Sequence, residues 1–156
     1  MAQIIIGADG LGFELKGEIK KFLTEEGYTV VDVNPDAPLD YYVVGARVGS
    51  AVSRGEADLG MAFCATGMGP SIVANKFKGV YASVIESDFT SERCKVVNNA
   101  NVLTMGQQVL TMEKAKIATK KWLDAKFGQG CGFDSLSDYL ADCLEQVKAI
   151  ENENMK

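Results

Sequence analysis

Histidine is absent from this 156-residue chain, which removes the commonest acid–base side chain. Any proton transfer would have to use Cys, Asp, Glu, Lys, Tyr or held water. The four cysteines, Cys64, Cys94, Cys131 and Cys143, form no C-x-x-C pair. A tetrahedral zinc site would need scattered thiols and carboxylates, so neither a metal nor another cofactor is expected. Basic residues are outnumbered 16 to 21, for a net charge of −5. A nucleic-acid binder needs a basic face to displace counterions, so small molecules or other proteins are the expected partners. No apolar run approaches membrane-spanning length, and the start Met1-Ala-Gln-Ile-Ile-Ile-Gly7 lacks the basic opening and long apolar stretch of a signal peptide. The expected location is the cytoplasm.

What is present suits one globular domain, with 47% apolar and 24% charged residues. Disorder is expected only at residues 151–156. The run from Gln3 to Ala8 is continuously apolar, as in a strand buried on both faces. Leu15, Ile19, Phe22 and Leu23 then recur at helical spacing up to Gly27, and residues 28–33 read as a second strand, completing a βαβ unit. Asp40 follows a proline loop as a candidate N-cap for a helix carrying Val44, Val48 and Val52. A third strand ends at Cys64, and a fourth (79–85), a helix (90–97) and a short fifth strand (102–105) follow. Leu136, Leu140, Cys143, Val147 and Ile150 give a last helix its apolar seam, after a flexible Gly128–Gly132 break. That helix would pack on a second subunit or on its own sheet.

The stretch from Phe63 to Lys76 is the chemical centre of this pattern. Cys64 ends an apolar strand and is followed by Ala65-Thr-Gly-Met-Gly69, with Pro70 expected at the first helical position. Gly67 and Gly69 would let a ligand approach backbone N–H groups. The mouth of a strand-to-helix connection is where open α/β sheets bind ligands. Cys64 is then a base or nucleophile beside a set of donors, or else a packing residue, as buried cysteines often are. Asp9, at the end of the first strand, would lie beside Cys64 or merely cap the next helix.

The segments Ile6-Gly-Ala-Asp9, Gly12-Phe-Glu-Leu-Lys16, Gly55-Glu-Ala-Asp-Leu-Gly60, Cys64-Ala-Thr-Gly-Met-Gly69, Ala74-Asn-Lys-Phe-Lys-Gly79 and Asn98-Asn-Ala-Asn-Val-Leu103 together resemble the type B ribose-5-phosphate isomerases and the related galactose-6-phosphate isomerase subunits. The resemblance implies a three-layer α/β/α fold with a five-stranded parallel, Rossmann-like sheet. It implies a metal-independent aldose–ketose isomerase with Cys64 as base. Thr66, Ala65, Gly67, Met68 and Gly69 would hold the enediolate, Asp9 and Gly10 would face the sugar, and Asn98 would contact it from a neighbouring subunit. In another branch a glutamate of this loop is the base, but Pro70 stands at that position.

Several of the family's usual groups are missing. Its Asp-His pair is Asp9-Gly10 here, and the His that assists ring opening is Val97. Arginines that grip phosphate fall around Cys131 and Ser135, and a third is Gln108. A bidentate arginine is not replaced by neutral neighbours. The substrate is therefore expected to be a sugar phosphate gripped by Lys76, Arg47 or Arg93, or a sugar or sugar acid without phosphate. Alternatives are a subunit of a mixed assembly with a related chain, or a non-catalytic sugar-binding protein. Residues 1–127 would form the isomerase domain and 128–156 a hinge and helix packing on the other subunit of a homodimer or larger assembly. Glu86 and Asp88, after strand four, are read as solvated, with substrate contact the alternative.

Overall fold

A computed structural model of the chain describes residues 2–155. Five parallel strands, β1 (Gln3–Ala8), β2 (Thr29–Asp32), β3 (Leu59–Cys64), β4 (Ala82–Ile85) and β5 (Val102–Gly106), form one sheet in the order β2-β1-β3-β5-β4. Helices α1 (Phe13–Glu25), α4 (Asp88–Asn98) and α5 (Met112–Asp124) cover one face, and α2 (Tyr41–Ser53) and α3 (Met68–Ala74) the other. This is the expected three-layer α/β/α arrangement.

The strand sequences assign the faces. Ile4, Ile6, Met61, Phe63, Leu103 and Met105 pack with Leu15, Ile19 and Trp122, while Ile5, Ala62 and Val102 pack with Val44, Val48 and Ala74. Alternate residues of a strand point to opposite faces, so a strand covered on both reads as unbroken apolar sequence. On the α2 face a side chain at Gly60 would meet Val48 at 2.6 Å, which lets α2 lie close on the sheet.

Three boundaries differ from the sequence reading. The fourth strand starts at Ala82 rather than residue 79, because Gly79 takes φ +77° and its N–H donates to Glu151, while Tyr81 N–H donates to the Asn101 side chain. Residues 151–154, expected to be disordered, belong to α6 (Ser137–Asn154), held by that Glu151 contact at 2.7 Å. The Gly128–Gly132 break is pinned at its ends, with Gly128 N–H donating to Val96 O and Arg93 to Cys131 O, both at 2.9 Å. Of the α6 seam only Leu140 is buried; Leu136, Val147 and Ile150 are exposed. Among the described residues no helix is long and apolar enough to cross a membrane.

Candidate active site

The order of strands reverses at β1. From there the chain moves outward to β2 on one side, and later fills β3, β5 and β4 on the other. The connection after β1 leads to α1 on one face and the connection after β3 to α3 on the opposite face, the topology in which open α/β sheets place a ligand crevice between the two strand ends. Asp9 and Cys64 occupy those ends. Ala8 pairs with Phe63 in the ladder, and Asp9 N–H donates to Phe63 O at 3.0 Å, so the two residues emerge side by side as expected.

Cys64 is buried at its strand end, and its Sγ accepts the Gly67 N–H at 3.0 Å. Gly67 reaches that position with φ +85°, a conformation that costs glycine little. It is also the N-cap of α3, so the helix begins at Met68 and Pro70 is its third residue, not its first. The proline still costs no helical hydrogen bond, because the first-turn N–H groups have no partner inside the helix. Thr66 Oγ1 accepts the Met68 N–H at 3.4 Å, and a hydroxyl that accepts can also donate. Ala65, Thr66 and Gly69 are half-buried and Met68 is exposed, so this loop forms an open rim.

The buried Cys94 provides a contrast. Its Sγ donates to Ser91 O at 3.1 Å, and burial pushes its thiol up to about 11. Cys94 gives its hydrogen to a carbonyl, whereas the Cys64 sulfur accepts one from a backbone amide.

Asp9 is not the N-cap of α1; that position is Gly12. The Asp9 carboxylate instead accepts the Leu11 N–H at 2.9 Å, shaping the loop after β1. A side chain at Gly12 would lie 2.5 Å from Cys64 N, so this glycine lets the loop rest directly on the Phe63–Cys64 peptide. Gly10 is exposed, and the nearest atom to a side chain there would be Pro38 Cβ at 3.9 Å. A Cβ at this position would thus meet no close neighbour.

Asn98 lies elsewhere. As the last residue of α4 it sits at the end of the sheet where strands begin, while Cys64 sits where they end. Gly60 to Cys64 spans four steps of β3, about 13 Å. One chain therefore does not bring Asn98 to its own Cys64. Nor do the three candidate cations converge on Cys64. Arg47 donates to Val33 O, Arg93 stacks on Phe89 and Phe133, and Lys76 lies beyond the C-terminal end of α3. Asp88 is paired with Lys121 at 2.7 Å, which holds its carboxyl below the usual range, and Glu86 is exposed. Two of the larger cavities, about 620 Å³ along α2 from Tyr42 to Arg54 and about 510 Å³ between Glu92 and the 125–134 loop, lie away from Cys64.

Two residues that the sequence reading passed over support the crevice. Asn34, buried after β2, donates to Ala8 O at 2.8 Å and accepts Ala8 N–H at 3.1 Å, clasping β1 one residue before Asp9. Gln107, after β5, donates its backbone N–H to Cys64 O at 3.0 Å. The available signal was positional, since each follows a strand whose end borders the crevice.

The chain is similar to known proteins over most of its length. A family model described as Ribose/Galactose Isomerase matches residues 4–134. The chain is 39% identical over 152 residues to the 4-deoxy-4-sulfo-D-erythrose isomerase of Clostridium sp. (strain MSTE9), covering 96% of this chain and 95% of that protein. It is 38% identical over 132 residues to the ribose-5-phosphate isomerase B of Escherichia coli, covering 83% and 89%. The solved ribose-5-phosphate isomerase B of Clostridium thermocellum superposes with a TM-score of 0.87 at 34% identity, covering 97% of this chain and 98% of that one. With the Cys64 loop and Asp9 side by side at the sheet's switch point, these matches establish that the chain belongs to the ribose/galactose isomerase family and is a sugar isomerase.

Proposed function

We propose that the chain interconverts a short aldose and its ketose, and that the substrate is a four-carbon sugar ending in a sulfonate, of the kind named for the clostridial relative. The observation that carries this reading is the joint loss of histidine and of the phosphate-gripping arginines in a chain that matches that relative almost end to end.

The chemistry of such a substrate accounts for both losses. A 4-deoxy-4-sulfo tetrose has no hydroxyl on C4, so it cannot close a five-membered ring and needs no group to open one. Val97 and Gly10 can then stand where the family places histidines. A sulfonate carries one negative charge where a phosphate ester approaches two, so it requires fewer cations.

In this reading the Cys64 thiolate takes the proton from C2 of the aldose. The electrons of the C–H bond form the C1–C2 double bond, and the carbonyl oxygen becomes the enediolate oxygen. Thr66 O–H and loop N–H groups from Gly67 to Gly69 stabilise that charge, the Gly67 N–H turning from sulfur to substrate or remaining as the sulfur's anchor. The O2 hydroxyl proton passes to O1, and the thiol returns its proton to C1 as the carbonyl forms at C2. Asp9 and the Gly10 and Ala65 backbone orient the hydroxyls, and Asn98 of a second copy completes the site. The active assembly is a homodimer or larger, with α6 and the residues after 127 packing against the second copy, and it works in the cytoplasm.

Exchange of the substrate C2 proton with deuterium, followed by NMR, tests the proposal. The sulfo-tetrose is expected to exchange faster than erythrose 4-phosphate or ribose 5-phosphate, and Cys64→Ala to abolish exchange. Faster turnover of ribose 5-phosphate would overturn the substrate assignment. Exchange unaffected by Cys64→Ala would remove the thiol as base.

A further inference from the structure

Helix α1 begins without a capping side chain of its own, because its N-cap is Gly12. The first-turn N–H groups of a helix have no internal partner and usually take one from the N-cap residue. Here the N–H of Leu15 donates instead to Gln107 Oε1 at 3.0 Å, across 92 positions of sequence. The same amide side chain donates through Nε2 to Glu14 Oε2 at 3.1 Å. Its backbone N–H donates to Cys64 O. One residue thus joins the end of the base's strand to the first turn of α1.

Between those attachment points lies the Asp9–Gly12 loop. It rests on the Phe63–Cys64 peptide through Gly12 and returns on itself through Gly12 N–H to Asp9 O at 3.2 Å. The loop's position relative to Cys64 therefore depends on how firmly α1 is fastened beside β3. We infer that Gln107 is a positioning residue for the isomerase reaction, its side-chain amide clamping the first turn of α1 so that the Asp9 carboxylate and the Cys64 sulfur meet the substrate at a fixed separation. The inference rests on the isomerase reading of Cys64 and Asp9.

The clamp has a donor and an acceptor arm, which allows an exchange test. Gln107→Ala removes both arms and keeps the backbone bond to Cys64. Gln107→Glu keeps the acceptor for Leu15 but sets a carboxylate against Glu14. Gln107→Glu combined with Glu14→Gln keeps the acceptor for Leu15 and restores the bond between 107 and 14 with donor and acceptor exchanged. Loss of alignment between a base and a bound hydroxyl lowers turnover more than binding, so each single variant is expected to lose about 10- to 100-fold in kcat, with KM changed by less than about threefold. The double variant is expected to return to within about threefold of the parent. A Gln107→Ala enzyme with parental kcat, or a double variant no better than Gln107→Glu, would overturn the inference.

Two measurements without substrate separate its failure from failure of the isomerase reading. Leu15 amide hydrogen exchange reports the cap, and alkylation of Cys64, mapped by mass spectrometry, reports the loop lying over its peptide. Both are expected to accelerate in Gln107→Ala and recover in the double variant. Faster exchange at Leu15 with unchanged alkylation at Cys64 would make Gln107 a helix cap and nothing more.

Discussion

The Cys64 sulfur accepts the Gly67 amide hydrogen at 3.0 Å, and the two residues are held in that relation by Gly67's φ of +85°. An alanine at 67 would be strained by about 1–2 kcal/mol in that conformation. Its Cβ would also press on the Met105 backbone at 3.1 Å. Gly67→Ala is therefore expected to lower stability by at least that amount in urea titration. Because the amide would turn away from sulfur, it should also depress deuterium exchange more than Thr66→Ser does.

Gly10 and Gly12 stand two residues apart in the same loop and should respond oppositely to a side chain. Gly12→Ala drives a carbon into the Cys64 backbone, which cannot yield as a flexible side chain would. A cost of about 1–3 kcal/mol or more and a large loss of turnover are expected. Gly10→His meets open space and should leave the thermal midpoint nearly unchanged. Combined with Gln108→Arg, it should raise activity on ribose 5-phosphate relative to the sulfo-tetrose, measured as the ratio of kcat/KM values.

Asp32 lies in a buried ion pair with Lys16 at 3.0 Å, with Lys20 joining it from the surface. Burial alone would raise its carboxyl, but the hydrogen bonds from Lys16, Lys20 and the Asn34 N–H together hold it below its ordinary value. A lowered folded value means that the contribution is complete above about pH 4 and is lost as pH falls through the folded value. Asp32→Asn should abolish that part of the acid sensitivity. It should also cost about 3–5 kcal/mol, because Lys16 is left charged and only 2% exposed. Lys16→Met should cost much less than Asp32→Asn, as judged by denaturant midpoints.

A site shared between copies can be tested by complementation. Cys64→Ala and Asn98→Ala chains should each be inactive alone. In a two-fold dimer with random exchange, half the molecules are mixed and each carries one intact site, so about a quarter of parental activity should appear on mixing. No recovery after verified subunit exchange would place Asn98 outside the site. High activity from a strict monomer would do the same, and a requirement for a different, related chain would favour the mixed assembly.

The fold was legible because period and burial agree. Strands covered on both faces gave unbroken apolar runs, and the Cys64 loop announced itself through two glycines after a strand. Pro70 was misplaced by two residues because Gly67's left-handed conformation starts α3 earlier than a proline rule expects. The fourth strand was overextended because Gly79 and Tyr81 spend their N–H groups on Glu151 and Asn101. Asn34 and Gln107 were passed over for a different reason. Their partners lie 26 and 92 positions away, and no local spacing encodes a contact made only when the sheet assembles.

Helix α4 starts at a Ser87 cap that accepts the Thr90 N–H and stops at Asn99 in the left-handed conformation. With both ends stopped, its 11 residues act as a ruler about 16 Å long. Deleting or inserting one residue would turn Asn98 by about 100° and carry it to another side of the molecule, although every strand stayed in register. Length in this segment is therefore far less free to vary than its polar surface suggests, and natural insertions should gather in the loops on either side.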